Sequence, residues 1–172
     1  MSTERPHPVP THFSARPQPH WLATAAEIER ALSESESIVR LVDTRPPEQY
    51  AGRAIWTQEG SRWFPPGKDW LEVAPGRVIR GGHIPGALHL HASSTLNAID
   101  WTFRDPEALH ELARTRGIDP AHRVITYCGV GISASLGLFA LHLAGYRNLA
   151  LYDASWEEWG TDPMRPVEQA GE

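Results

Sequence analysis

Cysteine is almost missing from this chain, with one thiol, Cys128, in 172 residues. One cysteine cannot close an internal disulfide, so a disulfide scaffold is excluded. No run of about 18 apolar residues is present to span a membrane as a helix, and the N-terminus lacks the apolar core of a secretory signal. There is also no run of lysine or arginine. The 16 basic residues stand against 21 acidic ones, a formal charge of -5, so no basic face is available for nucleic acid. Internal repeats are absent. These absences set the expectations of a cytoplasmic protein of the reducing cytosol with no nucleic-acid partner and no membrane partner.

The length suits one domain, since single cores hold about 100 to 200 residues, and 41% hydrophobic residues can supply a sizeable core. Residues 1–20 carry Pro6, Pro8, Pro10, Pro17 and Pro19 with few aliphatic side chains. They read as an extended proline-rich arm with too little to bury. His7, His12 and His20 are irregularly spaced and lack cysteine or carboxylate partners, which argues against a metal site. Thr24 followed by Glu27 is a capping box opening a short helix over 25–34. The β-branched run 38–43 is a strand that delivers Asp43 and Arg45 at its C-terminal end, where sites gather in open α/β sheets.

Residues 52–81 lack sustained periodicity and read as a long ordered insertion rich in Trp, Pro and Gly. Trp56, Trp63 and Trp70 lie in it and Trp101 follows. All four are read as aromatic anchors tying loop to core rather than as pocket walls. Residues 81–90 form a turn feeding a short buried strand, on which His89 and His91 share a face. Metal binding by that pair would need a third ligand. Asp105-Pro106 opens a helix with Asp as cap and Pro in the first turn, and Gly117 ends it. Residues 149–152 give the last strand, Ser155 caps a short aromatic helix, and the chain frays from 163 to 172. The domain proper is placed at 21–162. Alternating strands and helices predict an α/β fold of three layers, a mainly parallel central sheet flanked by helices.

The organising stretch is V-I-T-Y-C-G-V-G-I-S-A over 124–134. It reads as strand, glycine-punctuated loop and helix, the helix carrying Ile132, Leu136, Phe139, Ala140 and Leu143 on its apolar stripe until Gly145. In such a unit the loop amides and the positive end of the helix converge on one point. A thiol there is expected to be acidified, and thiolate is the nucleophilic form. The alternative is a buried inert cysteine at a strand end. Gly129 and Gly131 favour backbone donors closing around an anion. The stretch alone leaves the reaction open.

The loop C-G-V-G-I-S-A resembles the active-site loop of the rhodanese sulfurtransferases, whose forms include C-R-K-G-V-T and C-G-S-G-V-T. L-V-D-T-R at 41–45, G-H-I-P-G-A at 82–87 and L-Y-D-A-S-W-E-E-W at 151–159 resemble further family motifs, in order, so the likeness covers about 21–168. It is closest to the cysteine-bearing second half of the two-domain sulfurtransferases. The resemblance implies the rhodanese-like fold and Cys128 as the catalytic residue. It makes Gly129, Val130, Gly131, Ile132 and Ser133 the loop that binds substrate or persulfide, with Asp43 and Arg45 as its supports. His83 becomes an element of its turn. Where the two-domain enzymes usually carry an anion-binding arginine, this chain has Gln49. Gln49 and Arg53 are therefore the candidate anion contacts. Without an internal repeat, the expectation is that the inactive partner domain is absent and that the arm or a homodimer replaces some of its surface.

The expected function is a sulfurtransferase. It moves a sulfane sulfur from 3-mercaptopyruvate or thiosulfate through a Cys128 persulfide to a thiol, cyanide or carrier acceptor. No metal or organic cofactor is implied. The uncharged loop leans towards mercaptopyruvate, since a cationic C-R-K loop suits the thiosulfate dianion. Two other readings are a non-enzymatic rhodanese-like module that binds or relays sulfur, and a cysteine phosphatase or arsenate reductase. The second of these uses a C-x5-R loop whose arginine clamps phosphoryl oxygens. Here Ala134 occupies that arginine's place.

Overall fold

The computed structural model describes residues 21–34 and 38–169. The arm expected over 1–20 lies outside the described residues. In chain order these form α1 (Ala25–Ser33), β1 (Val39–Asp43), α2 (Pro47–Tyr50), β2 (Ala54–Thr57), β3 (Gly60–Trp63), β4 (Trp70–Ala74), β5 (Arg77–Arg80) and β6 (Leu88–His89). A 3-10 turn (Ala92–Thr95), α3 (Pro106–Thr115), β7 (Arg123–Tyr127), α4 (Ile132–Leu143), β8 (Leu149–Leu151) and α5 (Ser155–Trp159) complete the order.

The central sheet runs β6-β1-β7-β8, and every neighbouring pair is parallel. A parallel sheet covered on both sides needs strands that are apolar on both faces. Leu41, Ile125 and Ala150 pack on one side with Ile28 of α1 and with Trp156 and Trp159 of α5. Their neighbours Val42, Val124 and Leu149 pack on the other, against Leu109 and Ala113 of α3 and Ala140 and Leu141 of α4. Each fully buried Val, Leu or Ile removes apolar surface worth about 1.5–3 kcal/mol from water. The result is the expected three-layer α/β architecture, and the C-terminal ends of β1 and β7 meet at one edge, paired in register from Val39 with Arg123 to Asp43 with Tyr127.

Several local expectations change. Residues 52–81 form two antiparallel hairpins, β2 with β3 and β4 with β5. Strand β3 is exposed along its whole length and β4 nearly so, so no alternation arises that a periodicity search could find. Ile55, Phe64, Leu71 and Ile79 pack the hairpins on the core. None of Trp56, Trp63, Trp70 and Trp101 is buried, and the tryptophans that fill the core are Trp156 and Trp159. Thr24 Oγ1 accepts from the Glu27 N–H at 3.3 Å, while the Glu27 carboxylate bonds Arg123 at 2.8 Å. Asp105 stands at the N-cap of α3 without a side-chain capping bond.

Residues 163–169, expected to fray, are docked. Glu168 bridges His83, Trp159 Nε1 donates to Pro166 O at 2.8 Å, and Arg165 bonds Glu29 at 2.9 Å. A proline loses its N–H but keeps its carbonyl acceptor, which is how Pro166 is held. Among the described residues, no helix is long and apolar enough to cross a membrane.

Candidate active site

Cys128 follows β7 directly, at the sheet edge where β1 also ends. Three residues later Gly131 takes φ +87 and turns the chain into α4. Glycine enters that left-handed region without penalty. A Cβ there would sit 2.6 Å from Asp153 Oδ1 and 2.8 Å from Asp153 O, so the position also requires the missing side chain.

The carbonyls of the loop are drawn towards α5. Cys128 O accepts from the Trp156 N–H at 2.9 Å, and Gly129 O accepts from the Glu157 N–H at 3.0 Å. In a trans peptide the N–H points opposite to the carbonyl. The amides of Gly129 and Val130 are thereby turned away from α5. Among the described residues none accepts a hydrogen bond from the amides of residues 129 to 134. The first N–H groups of a helix have no acceptor within it, and its dipole adds positive potential at the same end. The Cys128 N–H itself donates to Ser155 Oγ at 3.1 Å, and Ser155 Oγ donates to Tyr152 O at 2.8 Å. Ser155 is therefore a brace for the cysteine and not the cap of α5.

Cys128 is only 2% exposed, yet it lines a cavity of about 400 Å³ together with Gly129, Val130, Ile132 and Ser133. The thiol is buried without being sealed. The volume falls in the range of small-molecule sites, roughly 300–1,000 Å³. Gly131 shapes the loop and does not line the cavity.

Asp43 and Arg45 form a buried ion pair beneath the loop. Arg45 Nε donates to both Asp43 oxygens at 3.0 Å, and its Nη2 donates to Oδ2 at 2.5 Å and to Gly82 O at 2.6 Å. The guanidinium lies 4.5 Å from the centre of the Trp156 ring. Burial works against the Arg45 charge, but the field and hydrogen bonds of Asp43 outweigh it, and the pKa ends above the usual value. Burial, helped by the Asp43 charge, pushes the Tyr127 hydroxyl well up. It stays protonated and accepts from the Ile84 N–H at 3.0 Å. Thr44, between the two charged residues, donates to Tyr127 O at 3.1 Å and meets Ser133 Oγ at 3.3 Å. This ties β1 to the start of α4.

Gln49 lines the cavity and is 2% exposed. Its Nε2 donates to Ser61 Oγ at 2.8 Å, and Ser61 Oγ donates to Glu48 Oε1 at 2.8 Å. Arg53 is exposed at the start of the first hairpin and does not line the cavity. His83 lies away from it, with Nδ1 2.9 Å from Tyr50 O and its ring stacked on Tyr50. His89 Nε2 stands 2.8 Å from Arg45 O. Among the described residues no group of three or more His, Cys, Asp or Glu side chains gathers in a metal-binding arrangement.

Trp56 and Trp101, read from the sequence as anchors rather than pocket walls, form an aromatic wall of the cavity. His91 supplies a polar group, as do Ser61 and Ser93, which the sequence did not single out. The His91 pKa is lowered, first by burial and then by the neighbouring His89, against the pull of Glu48.

Fold and site together define a three-layer α/β protein with a cysteine cradled at a strand-to-helix loop. The family model for the rhodanese-like domain matches residues 24–162, and the chain belongs to that family. A Haloferax volcanii protein provisionally named thiosulfate sulfurtransferase is 38% identical over 144 residues, 83% of this chain and 44% of that one. A Pseudomonas aeruginosa protein provisionally named 3-mercaptopyruvate sulfurtransferase is 34% identical over 162 residues, 92% of this chain and 48% of that one. This chain thus spans about half the length of the curated relatives it matches. Among solved structures, the anaerobic ergothioneine biosynthesis enzyme from Chlorobium limicola, in complex with trimethyl histidine, matches with a TM-score of 0.69 at 23% identity. That match covers 91% of this chain and 33% of that one and bears on the fold alone.

Proposed function

We propose that this chain is a sulfurtransferase that carries sulfane sulfur on Cys128. The observation that supports this most is the run of amides from Gly129 to Ala134 with no acceptor among the described residues, beside a buried thiol that opens on a cavity. In the reaction the Cys128 thiolate attacks the transferable sulfur of a small donor such as 3-mercaptopyruvate or thiosulfate. A new S–S bond forms as the bond from that sulfur to the rest of the donor breaks, and the leaving group takes the bonding pair. The loop amides stabilise the charge on the outer sulfur of the persulfide. A thiol, cyanide or a carrier then attacks that outer sulfur and regenerates the thiolate. The names of the relatives lend support to this chemistry.

Phosphatase chemistry is disfavoured because Ala134 stands where a clamping arginine is needed, and the guanidinium that does line the cavity is paired with Asp43. We further propose that the protein works in the cytosol. We also propose that it forms a homodimer. Replacing Cys128 by Ser should leave the melting curve unchanged and abolish thiocyanate production from cyanide and a sulfane donor. Turnover retained by Cys128→Ser would overturn the assignment.

A further inference from the structure

We propose, resting on the sulfur-transfer reading, that the cavity selects a sulfane donor whose leaving group carries an aromatic ring and which bears at most one negative charge, and that it discriminates against the thiosulfate dianion.

Charge gives the first line of argument. The guanidinium lining the cavity, Arg45, is matched by Asp43 in the same buried pair. Burial beside His89 keeps His91 neutral near pH 7. Gln49 cannot replace the missing cation. Because the Ser61 hydroxyl donates to Glu48, its oxygen must accept from Gln49 Nε2, and this fixes the amide orientation. What Gln49 leaves without a partner is Oε1, a buried acceptor. An acceptor repels an anion. Asp153 places a further carboxylate against Gly131. A dianion then meets no unpaired cation among the described lining residues, only neutral donors such as the hydroxyls of Ser93 and Ser133 and the loop amides that the transferred sulfur itself needs.

The aromatic wall gives the second. A Cβ on Gly129 would lie 3.0 Å from Trp56 Cβ and 3.3 Å from its Cγ. Trp56 therefore holds the space into which any side chain at 129, basic ones included, would rise. Trp56 and Trp101 are 39% and 70% exposed, so their ring surface is not consumed by the core. Leu96, Val130 and Leu136 extend the apolar wall. Aromatic pairs gain from ring stacking beyond simple area burial.

Benzenethiosulfonate and thiosulfate isolate this choice, because each offers the same sulfane sulfur. With the first, Cys–S⁻ and PhSO₂–S⁻ give Cys–S–S⁻ and PhSO₂⁻. With the second, Cys–S⁻ and S–SO₃²⁻ give Cys–S–S⁻ and SO₃²⁻. In both, one S–S bond forms, one breaks, and the leaving group departs with the electron pair.

The test measures kcat/KM for thiocyanate formation with each donor on wild type, Trp56→Ala, Trp56→Phe and Trp101→Ala. Trp56→Ala keeps the Cβ on which Gly129 rests. We expect wild type to favour benzenethiosulfonate, and each alanine variant to lose about three- to tenfold on that donor, the equivalent of one ring contact. Thiosulfate rates should fall by a clearly smaller factor, and Trp56→Phe should retain the preference. Equal use of the two donors by wild type, or an equal loss on both in the alanine variants, would overturn the proposed selectivity while leaving sulfur transfer intact. If neither donor leaves a persulfide on Cys128, the sulfur-transfer reading fails and the selectivity falls with it.

Discussion

Arg45 and Asp43 are almost completely withdrawn from water, at 2% and 0% exposure. Such a pair is held less by its net energy than by the cost of separating it, because removing one partner strands the other charge in the interior. Arg45→Met should therefore destabilise the protein by about 3–5 kcal/mol, measured as a fall in the urea midpoint. Adding Asp43→Leu should recover much of that loss. Ser155 poses a smaller version of the same problem, since it is the partner of the Cys128 N–H. Ser155→Ala should cost about 1–3 kcal/mol, the penalty of an unpaired buried donor, and should slow persulfide formation by loosening the cysteine. The places of Cys128, residues 129–133, Asp43 and Arg45 at one sheet edge were legible because each lies in a contiguous motif at the end of a strand. Those of Ser155, Trp56, Trp101 and His91 were not. Their nearness to Cys128 is created by chain crossings that bring distant loops to one sheet edge, and no local pattern records that. Arg53 illustrates the converse, being close to Gln49 in sequence yet outside the cavity.

At the scale of elements, the active loop is set by how closely α4 approaches β1. Gly137 makes the approach possible, because a Cβ there would lie 2.6 Å from Thr44 Cγ2. Alanine would gain about 1 kcal/mol of helix propensity over glycine, but overpacking at a buried contact costs about 1–3 kcal/mol. Gly137→Ala should thus be neutral to destabilising in a melting experiment. It should also lower the transfer rate by pushing α4 away and parting Ser133 from Thr44, which meet at 3.3 Å. Thr44→Ser removes the obstructing methyl and keeps the hydroxyl, so the double variant should regain the rate. The buried parallel strands and amphipathic helices could be read from apolar runs and helical spacing. The hairpins of residues 52–81 could not, because an exposed strand such as β3 has no buried face to mark its period.

Over the whole molecule, stability should depend on pH through His91. Its pKa in the folded chain lies below the usual 6.5 because burial, then His89, disfavours the charged form. The unfolded chain therefore binds more protons at this site, and stability rises with pH. The contribution is complete above about pH 6.5 and is lost as pH falls through the folded value. Between roughly pH 7 and 5 the urea midpoint of wild type should fall more steeply than that of His91→Asn. Parallel slopes would assign the titration elsewhere.

Whether Cys128 carries sulfur is tested most directly by the intact mass of the protein after incubation with a sulfane donor. The absence of any second cysteine makes the result unambiguous. The predicted result is a gain of one sulfur atom that cyanide removes as thiocyanate and that Cys128→Ser never acquires. A mass unchanged by every donor, or a sulfur that Cys128→Ser still gains, would contradict it.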